Sequence, residues 1–258
     1  MEYATRSKER ILNGNTTQLS VQKETTLFST MISTGAFDEF IDSILKLPEM
    51  KTSSYVCFAN VHMITECYRD KELCEAVNHA DVIAPDGKPV SWFLNTFQGR
   101  RQVKVSGPDI FPELLKQAAR RGKKVFFYGS TNKVLKKVVA RALFEFPALQ
   151  IAGAYSPAFI ALTEDEKNTI ADMINKAGPH LVFVALGCPK QEKWMAENAG
   201  KISACMLGIG QAFQVYAEEL KRAPKQIQDL GFEWAYRLSI EPNRLWKRYL
   251  RRTHSFFS

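Results

Sequence analysis

The chain has 258 residues, 45% hydrophobic and 24% charged, a balance that excludes a disordered polymer and suffices for one α/β domain with its own core plus an appendage. No apolar run reaches the roughly 18 to 20 residues of a spanning helix, and five scattered cysteines without paired spacing exclude a disulfide framework or a structural zinc site. The formal charge of +8 is uneven, with nine Lys or Arg against three Asp or Glu from Lys221 to Arg252 and near balance elsewhere, which argues against nucleic acid and for one local anionic contact.

From Met1 to Thr25 the chain is polar, with no apolar core of a signal peptide, so a cytoplasmic protein is expected. Phe37 to Leu47 places Phe37, Phe40, Ile41 and Ile44 on one helical stripe. Short apolar runs then follow at Tyr55–Ala59, Asp81–Ala84, Val125–Tyr128, Leu149–Ala154, Leu181–Leu186 and Ile202–Leu207. Between them lie segments of helical period, such as Pro108–Arg121 and Asn132–Phe146. This alternation predicts βα units feeding a largely parallel sheet with flanking helices. Thr163 with Glu166 forms a capping box, while Gly122 and Gly178 sit where helices should stop. After Tyr216 the strands cease and a basic, aromatic, helical segment begins. The expected organisation is a polar segment over 1–25, a catalytic α/β domain over 26–216 and a C-terminal basic helical appendage over 217–258.

Ligands of open α/β sheets bind beyond the carboxyl ends of the strands, so residues just after each apolar run are the first candidates. Asp86 stands in a Pro85-Asp86-Gly87 turn that aims a carboxylate at the ligand face, as a general base requires, though the same triplet is also favourable turn chemistry. Gly129, Ser130 and Thr131 place bare backbone and two hydroxyls at a helix start, where free N–H groups favour phosphate. The stretch Gly187-Cys188-Pro189-Lys190-Gln191-Glu192 ends a strand and opens a helix. Gln191 could read a uracil edge or a sugar hydroxyl, and Glu192 a ribose diol, or the two could simply cap the helix. Gly208, Gly210 and Gln211 form a further candidate turn. His62 lacks partners at ligand spacing and reads as a packing or hydrogen-bonding residue. No Asp-x-Asp triplet, Walker lysine pattern or G-x-G-x-x-G fingerprint is present, so a departing nucleotide would be stabilised by cations and backbone donors with no metal or cofactor.

The ordered set Asn60-Val61-His62, Pro85-Asp86-Gly87, Gly187-x-Pro189-x-Gln191-Glu192, Arg222-Ala223-Pro224, Glu233-Trp234-x-Tyr236-Arg237 and Glu241-Pro242-x-Arg244 resembles the WecG/TagA/CpsF glycosyltransferases, or glycosyltransferase family 26. The resemblance spans roughly residues 55 to 250. It implies a Rossmann-like fold, a UDP-sugar donor, inversion at the anomeric carbon and an acceptor sugar on a polyprenyl diphosphate at the inner face of a bacterial membrane. Asp86 would take the acceptor hydroxyl proton. Asn60, with Gly129, Ser130, Gly187, Pro189, Gln191, Glu192, Gly210 and Gln211, would hold the donor. Arg222, Arg237, Arg244, Lys247 and Arg248 would close on the diphosphates, and the family leaves room for a homo-oligomer. Where teichoic-acid members carry Thr-x-Asn-Pro-Glu, this chain has Phe58-Ala59-Asn60-Val61-His62. That variant is closer to the exopolysaccharide members and raises glucose beside N-acetylmannosamine or its uronate as the sugar moved.

In the appendage, Leu245 with Tyr249 and Trp246 with Leu250 are spaced by four and share a helix face, while Arg244, Lys247, Arg248 and Arg251 spread around the other sides. Such a helix suits an anionic membrane surface and is expected to act as a lid there. The competing reading is a non-catalytic binder of lipid-linked glycan or nucleotide sugar.

Overall fold

The computed structural model describes residues 19–97, 99, 101–158 and 162–240. A two-stranded antiparallel hairpin, β1 (Gln22–Leu27) and β2 (Thr30–Thr34), precedes α1 (Phe37–Met50). Then come β3 (Ser54–Ala59), α2 (Val61–Arg69), α3 (Lys71–Asn78), β4 (Val82–Pro85), α4 (Lys88–Phe97) and α5 (Gly107–Arg120). The middle of the chain forms β5 (Lys124–Gly129), α6 (Asn132–Glu145), β6 (Gln150–Tyr155), α7 (Glu164–Ala177) and β7 (Leu181–Ala185). Last come α8 (Lys190–Asn198), β8 (Cys205–Gly208), α9 (Ala212–Tyr216), α10 (Lys225–Asp229) and α11 (Glu233–Ile240).

Strands β3 to β8 form one parallel sheet in the order β4-β3-β8-β7-β5-β6, which gives the expected Rossmann-like α/β fold. Both faces are covered, so the interior strands read as continuous apolar runs rather than alternating ones, and β3, β7 and β8 are buried along their length. Alternation still sorts the side chains. Val56, Phe58, Val125 and Phe127 face a layer built by α1, α5, α6 and α9. Tyr55, Cys57, Phe126 and Tyr128 face one built by α2, α3, α4, α7 and α8.

The helix ends follow the expected chemistry. Thr131 caps α6 and accepts from the Val134 amide, the Thr163 and Glu166 box opens α7, and Gly178 closes α7 in the left-handed conformation that a Cβ would oppose. β1 begins at Gln22, inside the polar segment expected to run to Thr25, because Val21, Thr25, Leu27 and Ile32 turn inward and the hairpin packs beside β4. There the Ile83 amide donates to Ser33 Oγ at 3.0 Å, within the buried layer. Threonines are polar by composition yet β-branched and well suited to a half-buried strand.

Phe111 of α5 ties the C-terminal elements to the sheet. Its ring lies 4.9 Å from Phe183, 6.1 Å from Phe127, 5.5 Å from Phe213 and 5.2 Å from Tyr216, mostly edge-on. Edge-to-face pairs add to the burial of these large rings. Phe111→Ala should therefore lower stability by about 3 to 5 kcal/mol in urea unfolding, with α9 loosened first in hydrogen exchange.

Candidate active site

The strand order decides where a ligand can sit. β3 and β8 are neighbours in the sheet but lie at opposite ends of its sequence, and the helices that follow them cover opposite faces, α2 after β3 on one and α9 after β8 on the other. This is the switch point at which open α/β sheets bind ligands. A cavity of about 530 Å³ opens there. It is lined from the carboxyl ends of β3, β4, β7 and β8, from the start of α5, and from residues between Gln228 and Trp234.

Asp86 and Asn60 meet in this cavity. Asn60 caps α2, its Oδ1 accepting from the Met63 amide at 3.1 Å, which leaves its Nδ2 to donate to Asp86 Oδ2 at 3.3 Å. The Asp86 amide donates to the Ala59 carbonyl at 3.0 Å, and Gly87 takes a φ of 93° that lets the chain leave the turn. One helix cap therefore orients the carboxylate. His62 also lines the cavity, its Nδ1 3.9 Å from Glu66 Oε1 one turn along α2. Its place just after the β3 run put it among the first candidates, and its contact with Glu66 fits the hydrogen-bonding role read for it.

Gln191 and Glu192 open α8 and are nearly inaccessible, 5% and 1% exposed. Gln191 Oε1 accepts from the Gly187 amide at 3.1 Å, and its Nε2 donates to the Gly208 carbonyl and to Glu192 Oε1, each at 2.8 Å. Both amide protons are thus engaged on the protein, so Gln191 stitches the β7 and β8 loops together at the cavity wall. A Cβ on Gly208 would lie 3.1 Å from Gln191 Nε2 and 2.7 Å from the Met195 methyl, so a bare backbone is required for this stitch. Gly187, Glu192, Gly210 and Gln211 line the cavity as expected, while Pro189 serves as the N-cap of α8 outside its lining.

The first residues of α5 face the same space and were not singled out from the sequence. Ser106, Gly107 and Pro108 line it, together with Lys88 and Lys104. A Cβ on Gly107 would approach the Ile209 carbonyl to 3.0 Å, so only glycine lets α5 start so close to β8. A helix of 14 residues beginning at a cavity turns the positive end of its dipole toward an anion, although Pro108 carries no N–H and the Asp109 amide already donates to the Ser106 carbonyl at 3.0 Å. The signal was Ser-Gly-Pro-Asp ahead of an amphipathic run, with proline in the first turn.

Gly129 and Ser130 are not in the lining. β5 lies beyond β7 in the sheet, away from the switch point. Gly129 has a packing reason instead: with φ at 101°, a Cβ there would stand 2.7 Å from the Ala185 carbonyl oxygen. Ser130 follows in a left-handed backbone, its amide donating to the same carbonyl at 2.9 Å.

Arg222 also lies outside the lining and is bound to protein carboxylates. Its Nη1 donates to Asp109 Oδ1 at 2.5 Å and its Nε to Glu233 Oε1 at 3.4 Å, while Lys104 Nζ lies 3.2 Å from Asp109 Oδ2. This cluster fastens the segment carrying Gln228, Gly231, Glu233 and Trp234 to the start of α5, so residues after Tyr216 build one wall of the cavity. Arg237 lies on α11, its side chain outside the described part, and Arg244, Lys247, Arg248 and the apolar pairs near them lie outside the described residues.

A Rossmann-like sheet with a ligand cavity at its switch point, an oriented carboxylate and a helix start flanked by lysines is an arrangement suited to chemistry on an anionic ligand. The model of the family described as "Glycosyl transferase WecG/TagA/CpsF family" matches residues 25–258, and the chain belongs to that family. It is 33% identical over 213 residues to the N-acetylglucosaminyldiphosphoundecaprenol N-acetyl-beta-D-mannosaminyltransferase of Bacillus subtilis, covering 82% of this chain and 81% of that one. A protein of the same description from Bacillus spizizenii is 32% identical over 203 residues, covering 78% and 77%.

Asp109 carries a pH dependence. Burial alone would raise its carboxyl, but hydrogen bonds from Arg222 and Ser106 and the charges of Arg222 and Lys104 outweigh that and hold it down at about 2. A depressed carboxylate contributes stability that is complete above its unfolded value near 4 and is lost as pH falls through about 2. Arg222→Ala should therefore cost on the order of 2 kcal/mol near neutrality, and the gap to the parent should narrow between pH 4 and 2 in denaturation curves.

Proposed function

We propose that this protein is an inverting glycosyltransferase that moves a hexose from a UDP donor to a saccharide carried on a polyprenyl diphosphate, without a metal ion. The observation that carries this reading is the Asp86 carboxylate, oriented by Asn60, in the same cavity as the start of α5 and its flanking lysines. A base and an anion-binding end in one space are what direct displacement of a diphosphate by a hydroxyl needs. The names of the relatives support a polyprenyl-diphosphate acceptor and place N-acetylmannosamine first among donor sugars to try.

In this mechanism Asp86 removes the proton of the acceptor hydroxyl as its oxygen bonds to the anomeric carbon. The bond from that carbon to the diphosphate oxygen breaks on the opposite face, inverting the centre. The electron pair leaves with UDP, whose growing charge meets the positive end of the α5 dipole and Lys88. Gly187, Glu192, Gly210 and Gln211 surround the nucleoside end of the donor. Charge stabilisation is assigned in this reading to these donors in place of a metal ion.

No helix among the described residues is long and apolar enough to cross a membrane. The basic appendage over 217–258, with Arg244, Lys247 and Arg248, would seat the enzyme on the inner face of the bacterial membrane and close with Arg237 over the diphosphates.

Asp86→Asn should leave UDP binding and the melting temperature unchanged while lowering transfer about 100-fold or more, measured with radiolabelled UDP-N-acetylmannosamine and other UDP-hexoses on a polyprenyl-diphosphate monosaccharide. Near-parental turnover would remove Asp86 from the chemistry. EDTA should leave the rate unchanged, and a requirement for added magnesium or manganese would overturn the metal-free assignment.

A further inference from the structure

A second cavity, of about 280 Å³, adjoins the first on the outer side of α4. Leu27 and Phe28 at the hairpin turn, Ile64 and Tyr68 of α2, and Val90 and Phe93 of α4 form its walls. The Thr65 hydroxyl, also in the wall, donates to the Val61 carbonyl at 2.8 Å rather than into the space. Val61 and Pro89 belong to both cavities. The apolar space thus lies against the candidate active site, and Lys88, lining the larger cavity, stands next to Pro89 in the chain.

Its rim is unusual for a surface that meets only water. Phe28, Tyr68 and Val61 are 69%, 60% and 49% exposed, and the first two rings meet edge-on at 6.4 Å. Phe28 holds a left-handed backbone with φ at 54°, a conformation that favours glycine or asparagine. A strained turn presenting an exposed aromatic at the mouth of an apolar groove is the arrangement expected of a ligand clamp.

Resting on the acceptor class proposed above, we infer that this groove holds the first isoprene units of the lipid acceptor while its diphosphate lies toward Lys88. The size fits: at about 30 Å³ per liquid-packed heavy atom, 280 Å³ accommodates on the order of nine carbons, close to two isoprene units. An occupant that is apolar at one end and anionic at the other suits this pair of spaces, because the groove is lined mostly by apolar side chains and adjoins a cavity with lysines and a helix start. The groove would therefore draw the first part of the chain out of the bilayer and fix how far the acceptor sugar reaches toward Asp86.

The test is calorimetric binding of inorganic diphosphate, isopentenyl diphosphate and geranyl diphosphate to the full chain in detergent-free buffer, which needs neither donor nor turnover. Burial of a methylene is worth about fourfold in affinity, so geranyl diphosphate should bind at least tenfold more tightly than inorganic diphosphate, with the one-unit ligand between them. Thr65→Trp, which fills the groove, should abolish that preference while leaving inorganic diphosphate binding and the melting temperature unchanged. Phe28→Ser, a surface change, should weaken geranyl diphosphate several-fold. Equal binding of the three ligands, or a full preference retained in both folded variants, would overturn the assignment. So would a chain-length preference absent in solution alongside phosphatidylglycerol vesicle binding that falls in Phe28→Ser, since the patch would then be a bilayer seat. Sugar transfer is scored separately: the groove can fail while transfer to lipid-linked acceptors stands, and absent transfer leaves the chain-length preference readable.

Discussion

The parallel pairing of β3 with β8, with Tyr55 opposite Met206 and Val56 opposite Leu207, is the constraint on which the rest of the molecule depends. It joins the first and last strands of the sheet and so brings the turn after β3 beside the turn after β8. The pairings on either side of it complete the cavity. Gln191 can reach the Gly208 carbonyl only because β7 pairs with β8, and Asp86 can meet Asn60 only because β4 pairs with β3. A shift of one residue in either register would turn these side chains to the other face of the sheet.

Charge in the site is arranged so that the protein consumes part of it. Arg222 and Lys104 are both held by Asp109, and Glu233 adds a second carboxylate to the same group. This network is partly buried, where an ion pair is retained only with satisfying hydrogen bonds and where removing one partner leaves a costly charge behind. It spans α5 and the segment after Tyr216, so the late part of the chain is fastened at the point where an anion would bind. Lys88 and the positive end of α5 stand beside this network at the cavity wall, which separates residues that assemble the site from groups available to a ligand.

The two cavities give the molecule a polarity along its own surface. The larger one has a carboxylate, lysines and a helix start, and the smaller one is walled by Leu27, Ile64, Val90 and Phe93. Their junction at Val61 and Pro89 lies one residue beyond the α2 cap Asn60 on one side and three beyond Asp86 on the other. The elements that orient the carboxylate therefore also shape the apolar groove. This coupling arises because α2 and α4 each begin at the carboxyl edge of the sheet and run back over the same face.

Much of this was legible in the sequence because it is local. Apolar runs bounded by turn residues marked the six parallel strands, the Thr163 and Glu166 box marked a helix start, and Pro85-Asp86-Gly87 marked a carboxylate in a stiff turn, each through forces acting over a few residues. The Gly129-Ser130 turn looked equally suited to phosphate, and the start of α5 looked ordinary. Only the strand order separated them, placing β5 outside the switch point and α5 against β8. Likewise Arg222 was legible as a cation but not as the partner of Asp109, more than a hundred residues away in the chain. Threonine-rich polarity hid the β1–β2 hairpin, whose burial depends on β4 lying beside it. The sequence by itself determined which residues begin and end each element, because capping, turn and burial preferences are short-range. Which of those ends meet was decided only by the tertiary structure, because pairing of distant strands is a choice among packings that no local preference distinguishes.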